Sequence, residues 1–565
     1  MEPALEITSG PLADAIDRYR PNAEAAVKGL WRRDPSTWSA DAAVQSKIAN
    51  RLGWLNSPEL MSDALERLKT CAERVKRDHF TDVVLLGMGG SSLAPEVLRA
   101  IVGVAPGWPR FHMLDSTDPA AVLAASTDPA TTVYILASKS GTTIEPNSLA
   151  AYFRRRLEEA HVAPWASRFI AITDEGTELA RRARADGFRD LFINPSDIGG
   201  RYSALSFFGL VPAALMGQNV TAILKWAATL LGSANPDRHR LGANRAAMLG
   251  LAIGAAARTG RDKLTLVVPP ALESLGLWVE QLIAESTGKN GTGLVPIAGE
   301  TLGRAADYGS DRLFVTVGPA EANDTAAHAL RATGAPIIAI DFPEPEALGA
   351  EFVRWEIATA IAGAILEIDP FDEPNVQQAK DATRALLDRF KSEGSLPVSP
   401  PSQTLDGGVA LTLSTAARRL LDPGQADAFL RLLAPNDYFG LLAYLGPDPS
   451  LAGALHRFRM GVRDRSRAAT MFGYGPRYLH STGQLHKGGP NSGAFVLVTA
   501  TAQTDIPIPS EAFSFGTLEL AQGLGDFASL DTAGRRALHV HLPGPNPTAL
   551  EKVLERLLTA LPSPM

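Results

Sequence analysis

Two short segments combine glycine with hydroxyl side chains, a composition typical of phosphate-binding loops. Residues 87–92 read Gly-Met-Gly-Gly-Ser-Ser, and residues 138–143 read Ser-Lys-Ser-Gly-Thr-Thr. Glycine lets the backbone approach an anion, while hydroxyls and the free N–H groups of a following helix bind its oxygens. Either segment alone could be an ordinary turn with a capping hydroxyl, but the two together favour a phosphate site. Lys139 would add a positive charge to the second loop.

Neither loop carries a nucleotide-binding motif. The Walker A pattern is absent, and Ser92 stands where the dinucleotide-binding motif has its third glycine. Hydroxyls with a single lysine fit a small phosphate monoester better than a nucleotide.

Glu285 is the candidate general base. It follows Gln281 by four residues, so that a helix would place both side chains on one face. Gly288 is a natural helix end, which puts Glu285 in the last turn, near the negative end of the helix dipole. That position raises the pKa of a carboxyl group, as proton abstraction near neutral pH requires. For this segment alone, the alternative is a solvated surface glutamate.

Two histidines and one arginine complete the set of candidate site residues. His480 and His486 lie in a stretch rich in Gly, Ser and Thr, and histidine can exchange a proton with a sugar hydroxyl at neutral pH. No cysteine or carboxylate stands nearby at ligand spacing, so we expect no metal. Arg201, in Gly-Gly-Arg-Tyr-Ser, could stabilise an oxyanion or take part in a structural salt bridge.

Alternating strands and helices must position these residues. Residues 79–235 contain strand-like apolar runs separated by helical patterns, which predicts a parallel sheet covered on both faces. The two glycine-containing loops follow the first and third runs, and such sheets bind ligands at the carboxyl ends of their strands. The runs are 83–86, 111–114, 133–137, 169–173 and 191–193.

The alternation resumes after a polar stretch at 233–242. We therefore predict an α/β protein with two doubly wound parallel-sheet units. The expected divisions are a helical N-terminal segment at 1–78, a first unit at 79–235 and a second unit at 243–565, with an irregular insertion near 393–425. Strands of the second unit are predicted at 264–268, 313–317, 337–340, 495–499 and 537–542.

Composition and charge exclude several classes of protein. Of the 565 residues, 45% are hydrophobic and 20% charged, and the net charge of −7 argues against broad binding to nucleic acids or anionic membranes. Cys71 is the single cysteine, which fits a reducing compartment. The longest apolar run, 246–257, is too short to span a bilayer, and the first residues lack the pattern of a signal peptide. We expect a cytoplasmic protein.

Together these segments resemble the glucose-6-phosphate isomerase family, in its form with two sugar-isomerase (SIS) domains. The likeness is strongest to the isomerase half of bacterial transaldolase/phosphoglucose isomerase fusions. The matching segments are the two sugar-phosphate loops at 87–92 and 138–143, the arginine signature at 199–203, the base segment Gln-x-x-x-Glu-Ser-x-Gly-Lys at 281–289, the Pro-Phe-Asp stretch at 369–376 leading to Lys380, and the histidine segment at 479–484.

The resemblance implies flavodoxin-like SIS domains, a homodimer, no cofactor and a role for each residue. Glu285 would move a proton between C2 and C1 of the open-chain sugar through a cis-enediol(ate), and Arg201 would stabilise the developing charge. His480 would open the sugar ring with the help of Lys380. The substrate and its 6-phosphate would be held by Gly90, Ser91, Ser138, Lys139, Ser140, Thr143 and Gln281.

The chain departs from the family pattern in two ways. Lys380 precedes His480, whereas the histidine segment usually comes first. Asp369 and Glu373 replace the usual Asn and Gln and make this stretch more acidic. The family histidine usually comes from the neighbouring subunit, and the sequence leaves open whether His480 acts within its own chain.

Three other functions remain compatible with parts of the pattern. One is an isomerase of another aldose with a 6-anion, such as mannose 6-phosphate or a sulfonate sugar, because Lys139 suits either anion. A second is a sugar-phosphate sensor without activity, against which the joint presence of Glu285, Arg201 and His480 argues. The third, an aminotransferring enzyme, needs a glutamine-hydrolysing domain with an N-terminal cysteine, whereas Cys71 is internal.

Overall fold

Three sheets, two of them with antiparallel edge strands, organise the chain in the computed structural model, which describes residues 3–398 and 400–562. The predicted α/β class with parallel sheets is confirmed. Met1, Glu2 and Ser399, which fall within the predicted N-terminal segment and insertion, and 563–565 lie outside the described residues.

The N-terminal segment is helical, as predicted, but it begins with a strand. This strand, β1 (Leu5–Thr8), pairs antiparallel with the edge of the second sheet. Four residues are too few for a strand pattern to be recognised in the sequence. The helices are α1 (Ala13–Arg32), α2 (Ala42–Ala49), α3 (Ser57–Asp63) and α4 (Leu65–Arg77).

The first sheet consists of the five strands predicted in 79–235, all parallel, in the order β3-β2-β4-β5-β6. They are β2 (Asp82–Leu86), β3 (Arg110–Leu114), β4 (Thr132–Ala137), β5 (Phe169–Asp174) and β6 (Asp190–Asn194). The helices are α5 (Leu93–Ile101), α6 (Pro119–Ala124), α7 (Ile144–Glu159), α8 (Glu178–Asp186), α9 (Phe207–Leu215) and α10 (Val220–Ser233).

The second sheet has the order β1-β10-β9-β7-β8 and shares one continuous hydrophobic core with the first sheet and the N-terminal helices. Its strands are β7 (Lys263–Val267), β8 (Val295–Ile297), β9 (Arg312–Gly318) and β10 (Ile337–Asp341). The helices are α11 (Arg245–Arg258), α12 (Glu273–Thr287), α13 (Ala320–Leu330) and α14 (Leu348–Leu366).

A third sheet follows the helix α15 (Val376–Glu393), in the order β11-β12-β16-β15-β13-β14, over a hydrophobic core of its own. Its strands are β11 (Gln403–Thr404), β12 (Ala410–Leu413), β13 (Tyr438–Tyr444), β14 (Ala469–Tyr474), β15 (Gly493–Ala500) and β16 (Arg536–Leu542). The helices are α16 (Thr415–Arg418), α17 (Pro449–Ser466), α18 (Gly483–Gly488), α19 (Phe515–Thr532) and α20 (Pro547–Leu558).

This third sheet corrects two expectations. The range 243–565, predicted as one unit, contains two sheets, and the stretch near 393–425, predicted as an irregular insertion, contains β11, β12 and α16. Parallel strands look alike in every sheet, so alternation alone does not mark where one sheet ends and the next begins. The antiparallel pair β11–β12 is short and follows several prolines, which hides it in the sequence.

A buried ion pair ties the third sheet to the second. Arg312 at the start of β9 meets Glu300 with Nη1 and Oε2 3.0 Å apart, and neither side chain is more than 1% exposed. Glu300 Oε1 also accepts hydrogen bonds from the N–H and the hydroxyl of Thr470 on β14, at 2.8 and 2.7 Å. Removing one member of such a pair leaves a buried charge without a partner.

None of the helices within the described residues is both long and apolar enough to cross a membrane.

We expect Glu300→Ala to lower the free energy of unfolding by about 3–5 kcal/mol, because Arg312 would remain buried and unpaired. Denaturant unfolding measures the change. The matched control is Glu158→Gln, which breaks the exposed pair with Arg154 and should cost about 0.5 kcal/mol or less. Equally small effects of both variants would contradict a structural role for the buried pair.

Candidate active site

A cavity of 430 Å³ lies where the carboxyl end of the first sheet meets α15 and the third sheet. Its walls carry hydroxyl, carboxyl, ammonium and imidazole groups, a mixture suited to a phosphorylated sugar. The polar lining includes Ser140, Thr143, Glu145, Lys380, His480 and Gln522.

The first glycine-containing loop is packed against other backbone. A Cβ atom on Gly90 would stand 2.0 Å from the carbonyl oxygen of Gly200. At Gly89, where φ is +55°, a Cβ atom would stand 2.6 Å from the carbonyl oxygen of His480. These glycines therefore bring the predicted phosphate loop, the arginine segment and the histidine segment together. Ser91 is buried in the same turn.

The second loop presents its hydroxyls at the start of α7. Ser138 Oγ lies 3.1 Å from Thr143 Oγ1, and it also accepts the N–H of Gly141 at 3.1 Å. Ser140 Oγ and Thr142 Oγ1 are 3.1 Å apart and line the cavity. A cluster of hydroxyls at a helix N-terminus is suited to an anion.

The Lys139 ammonium differs from its expected position. It pairs with Asp174 and donates to the carbonyl oxygen of Ser196 at 3.0 Å. These two contacts hold the loop in place, and the positive charge of Lys139 is already paired with the Asp174 carboxylate.

Glu285 lies in the last turn of α12, as predicted, and is buried rather than solvated. Its Oε2 accepts a hydrogen bond from Gln281 Nε2 at 3.2 Å, and its Oε1 stands 3.7 Å from Arg201 Nη1. Burial raises the pKa of Glu285 to about 7, and the charge of Glu373 adds to this against the opposing effect of Arg201. A carboxyl group with such a pKa can accept and return a proton at neutral pH.

Gln281 connects the base to the histidine segment. Its Nε2 donates to the carbonyl oxygen of His480 at 2.8 Å as well as to Glu285, one turn further along α12. The spacing of four residues puts Gln281 and Glu285 on the same face of α12, so that one carboxamide can contact both Glu285 and the carbonyl oxygen of His480.

Arg201 is buried at the end of the first sheet. Its Nε donates to Ser286 Oγ at 2.7 Å, and its Nη2 donates to the carbonyl oxygens of Pro370 and Asp372 at 2.7 and 2.9 Å. Burial alone would lower the pKa of Arg201, but the charges of Glu285 and Glu373 raise it. The guanidinium group is therefore a fixed positive charge beside Glu285.

His480 pairs with a buried carboxylate that the sequence analysis missed. Its Nε2 lies 3.0 Å from Glu145 Oε1, which also accepts a hydrogen bond from Gln522 Nε2 at 2.7 Å. Burial would raise the pKa of Glu145, but the charge and hydrogen bond of His480 lower it overall. An ionised Glu145 holds the imidazole in a fixed orientation.

The third sheet delivers His480 to the cavity. The chain leaves β14 and forms a short 3₁₀ turn, Arg477–His480. Arg477 makes two hydrogen bonds of 2.7 Å to Asp115 beyond β3. Tyr478 Oη donates to Asp526 Oδ2 at 2.5 Å, and Lys487 pairs with the same carboxylate at 2.6 Å. The segment is thus anchored on both sides of the histidine.

Two predicted residues remain: Lys380 lies at the cavity, whereas His486 lies in the hydrophobic core. Lys380 lies on α15 and lines the cavity with His480, and its charge contributes to the lowered pKa of Glu145. His486 is buried, with its ring centroid 5.0 Å from that of Phe495, and burial lowers its pKa well below the usual value. It is a neutral core residue, so the expectation that both histidines belong to a site was wrong for His486.

The missed residues left different signals in the sequence. Glu145 stands only two positions beyond the second loop, in the first turn of α7, where a carboxylate near a phosphate site is unexpected. Gln522 lies on α19 in a stretch without a recognisable motif, so it left no signal in the sequence. Among residues 3–398 and 400–562, no group of three or more His, Cys, Asp or Glu could hold a metal ion.

Comparison with known proteins gives matches on both sequence and fold. A profile of the phosphoglucose isomerase family matches residues 58–301. Glucose-6-phosphate isomerase of Symbiobacterium thermophilum is 30% identical over 397 residues, covering 59% of this chain and 86% of its own length. That of Rubrobacter xylanophilus is 29% identical over 405 residues, covering 62% and 92%. A hypothetical protein from Thermus thermophilus superposes with a TM-score of 0.59 and 26% identity, over 68% of this chain and 99% of that chain.

We expect Glu285→Gln to stabilise the protein at about pH 8 by on the order of 3 kcal/mol, the free energy that corresponds to the full pKa difference. The pKa of Glu285 rises from 4.5 to about 7 in the folded protein, so folding of the wild type is favoured below 4.5 and loses this contribution as the pH rises to about 7. The gain from the substitution should therefore shrink on acidification. Denaturant unfolding at several pH values measures it, with the exposed Glu367→Gln as control; a gain independent of pH would contradict a raised pKa.

Proposed function

The chain belongs to the glucose-6-phosphate isomerase family, and on this premise we propose that it interconverts glucose 6-phosphate and fructose 6-phosphate. The observation that carries the proposal is the buried Glu285, whose pKa of about 7 and position beside Arg201 suit a general base. The reaction moves a proton next to a carbonyl group, so the side chains of the site suffice for it.

The phosphate end of the substrate would bind at the first sheet. Support comes from the hydroxyls of 138–143, which gather at the N-terminus of α7 and of which Ser140, Thr142 and Thr143 line the cavity. The proposed phosphate ligands are Ser91, Ser138, Ser140 and Thr143, with the backbone of Gly90 and Lys139 and the carboxamide of Gln281 beside them. The Lys139 ammonium, paired with Asp174, would act by holding the loop.

Ring opening would fall to His480 and Lys380. The imidazole lies 3.0 Å from Glu145, which keeps it oriented and able to give a proton to the ring oxygen. Lys380 lines the same cavity from α15 and adds positive charge there.

Isomerisation would then proceed at Glu285. The carboxylate takes the proton from C2 of the open-chain sugar and returns it to C1, and the charge that appears on the oxygens meanwhile faces the guanidinium of Arg201. Because Arg201 is buried and hydrogen-bonded through Nε and Nη2, it is oriented before the substrate arrives. A fixed charge of this kind costs no reorganisation in the transition state.

A homodimer and a cytoplasmic location are the finer expectations that follow from the family and from the single cysteine. Support for a histidine that acts within its own chain comes from His480, which contacts Glu145 and Gln281 of the same chain. We therefore propose that each chain carries a complete site.

The activity test uses fructose 6-phosphate, glucose-6-phosphate dehydrogenase and NADP. We expect the wild type to isomerise, and Glu285→Gln to lower kcat by on the order of a thousandfold, because the general base is lost. The matched control is Glu280→Gln, which changes another buried carboxyl group on α12 that accepts the N–H of Ala298 at 3.0 Å and borders a different cavity beside Arg459. It should keep its activity.

The possible failures of this test differ. An active Glu285→Gln enzyme would overturn the role of Glu285. A wild type that binds fructose 6-phosphate without converting it would indicate a sensor. Absence of both would direct the search to mannose 6-phosphate and sulfonate sugars.

Mixing two inactive variants tests whether the site forms within one chain. Glu285→Gln and His480→Ala should each be inactive, and a mixture unfolded and refolded together should stay inactive, because every site then lacks one group. Recovery of about a quarter of the wild-type activity would contradict a site within one chain, since shared sites would regain a complete set. The same mixture at several protein concentrations controls for weak association.

A further inference from the structure

Arg201 has two carboxylates on the same nitrogen. Its Nη1 lies 3.0 Å from Glu373 Oε2 and 3.7 Å from Glu285 Oε1. The other donors of the guanidinium are used elsewhere, Nε by Ser286 and Nη2 by the carbonyl oxygens of Pro370 and Asp372. The two carboxylates thus meet the same nitrogen, and of the two only Glu373 lies within hydrogen-bond distance of it.

The two carboxylates differ in their surroundings. The side chain of Glu285 is 10% exposed, whereas that of Glu373 is 43% exposed. Water reaches the Glu373 carboxyl group, whereas the charge of the buried Glu285 depends on Arg201 for its stabilisation.

We propose that Glu373 is a positioning residue for the general base: it occupies the near side of the Arg201 guanidinium and thereby keeps Glu285 from being fully neutralised by the arginine. This inference rests on the proposed function of Glu285. It adds that a group outside the reacting atoms sets the pH range in which the base works.

The other charged groups near this pair have partners of their own. Lys289 pairs with Asp372 and donates to the carbonyl oxygen of Asp369 at 2.6 Å. The hydroxyl of Tyr202 lies 3.3 Å from Ser286 Oγ. On the far side of Glu285, His480 faces Glu145. Replacing Glu373 by Gln therefore removes one negative charge and leaves these contacts in place.

Electrostatics gives the direction of the effect. After burial, the charge of Glu373 is a further cause that raises the pKa of Glu285, against Arg201, which lowers it. With Gln at position 373 the repulsion between the two carboxylates disappears, and Glu285 no longer shares the charge of Arg201 with Glu373. Both changes favour the ionised form of Glu285.

The experiment compares the pH dependence of kcat/KM for fructose 6-phosphate in the wild type and in Glu373→Gln. The acid limb of the profile should move to lower pH by about half a unit or more, which corresponds to a gain of about threefold in kcat/KM on that limb. Gln keeps the volume and one acceptor for Arg201 Nη1, and thermal unfolding verifies that the variant is folded. The matched control is Glu367→Gln, which removes a negative charge from an exposed residue paired with Arg258 and should leave the limb in place.

A second readout does not require activity. Infrared titration of protein labelled with ¹³C-glutamate follows the carboxyl groups directly, and the band absent from Glu285→Gln identifies that residue. Glu373→Gln should lower the midpoint of this band. An unmoved midpoint, or an active variant with an unmoved acid limb, would overturn the inference. An inactive wild type whose Glu285 midpoint still responds to Glu373 would overturn the proposed function and leave the electrostatic coupling standing.

Discussion

The buried charge of Arg201 is the constraint on which the site depends. A guanidinium group excluded from water is stable only when its donors are satisfied, and those of Arg201 reach Ser286 on α12, Glu373 and the backbone at 370–372. Arg201 itself follows the first sheet, and its partners belong to the helix of the base and to the loop before α15. Satisfying one cation therefore brings together the elements that the chemistry needs.

The third sheet plays the same part for the histidine. His480 reaches the cavity because Arg477 is held by Asp115, just after β3, and Tyr478 by Asp526 on α19. The reversed order of Lys380 and His480 then has a structural meaning. Lys380 on α15 and His480 after β14 line the same cavity. The fold brings α15 and the end of β14 together, so the order of the two residues along the chain does not decide whether they meet. Lys380 is carried on a helix before the third sheet, while His480 follows its second parallel strand.

The sequence was sufficient for what depends on local pattern. The strands of the first sheet, the loops that follow them and the placement of Glu285 in the last turn of α12 all follow from periodicity, glycine and helix ends. The residues that were missed act over long distances: Glu145 contacts His480 across 335 positions, and Gln522 contacts Glu145 across 377. No local pattern predicts such pairs. The position of the Lys139 ammonium was missed for the same reason, because its partner Asp174 lies on the neighbouring strand β5.

The glycines of the first loop show how one residue type can serve two purposes. Their presence predicts close backbone approach, which is correct, but the group that approaches Gly90 is the carbonyl of Gly200, and at Gly89 it is that of His480. A side chain at Gly90 would push the phosphate loop away from the arginine segment, and one at Gly89 would push it away from the histidine segment. Either change would disturb the site whether or not a ligand is bound. Glu285 is itself buried, and a carboxyl group that is both buried and close to a second carboxylate is costly to ionise. The surrounding contacts hold the Glu285 carboxyl group in place although its burial is costly. The raised pKa that results is the property that a general base needs.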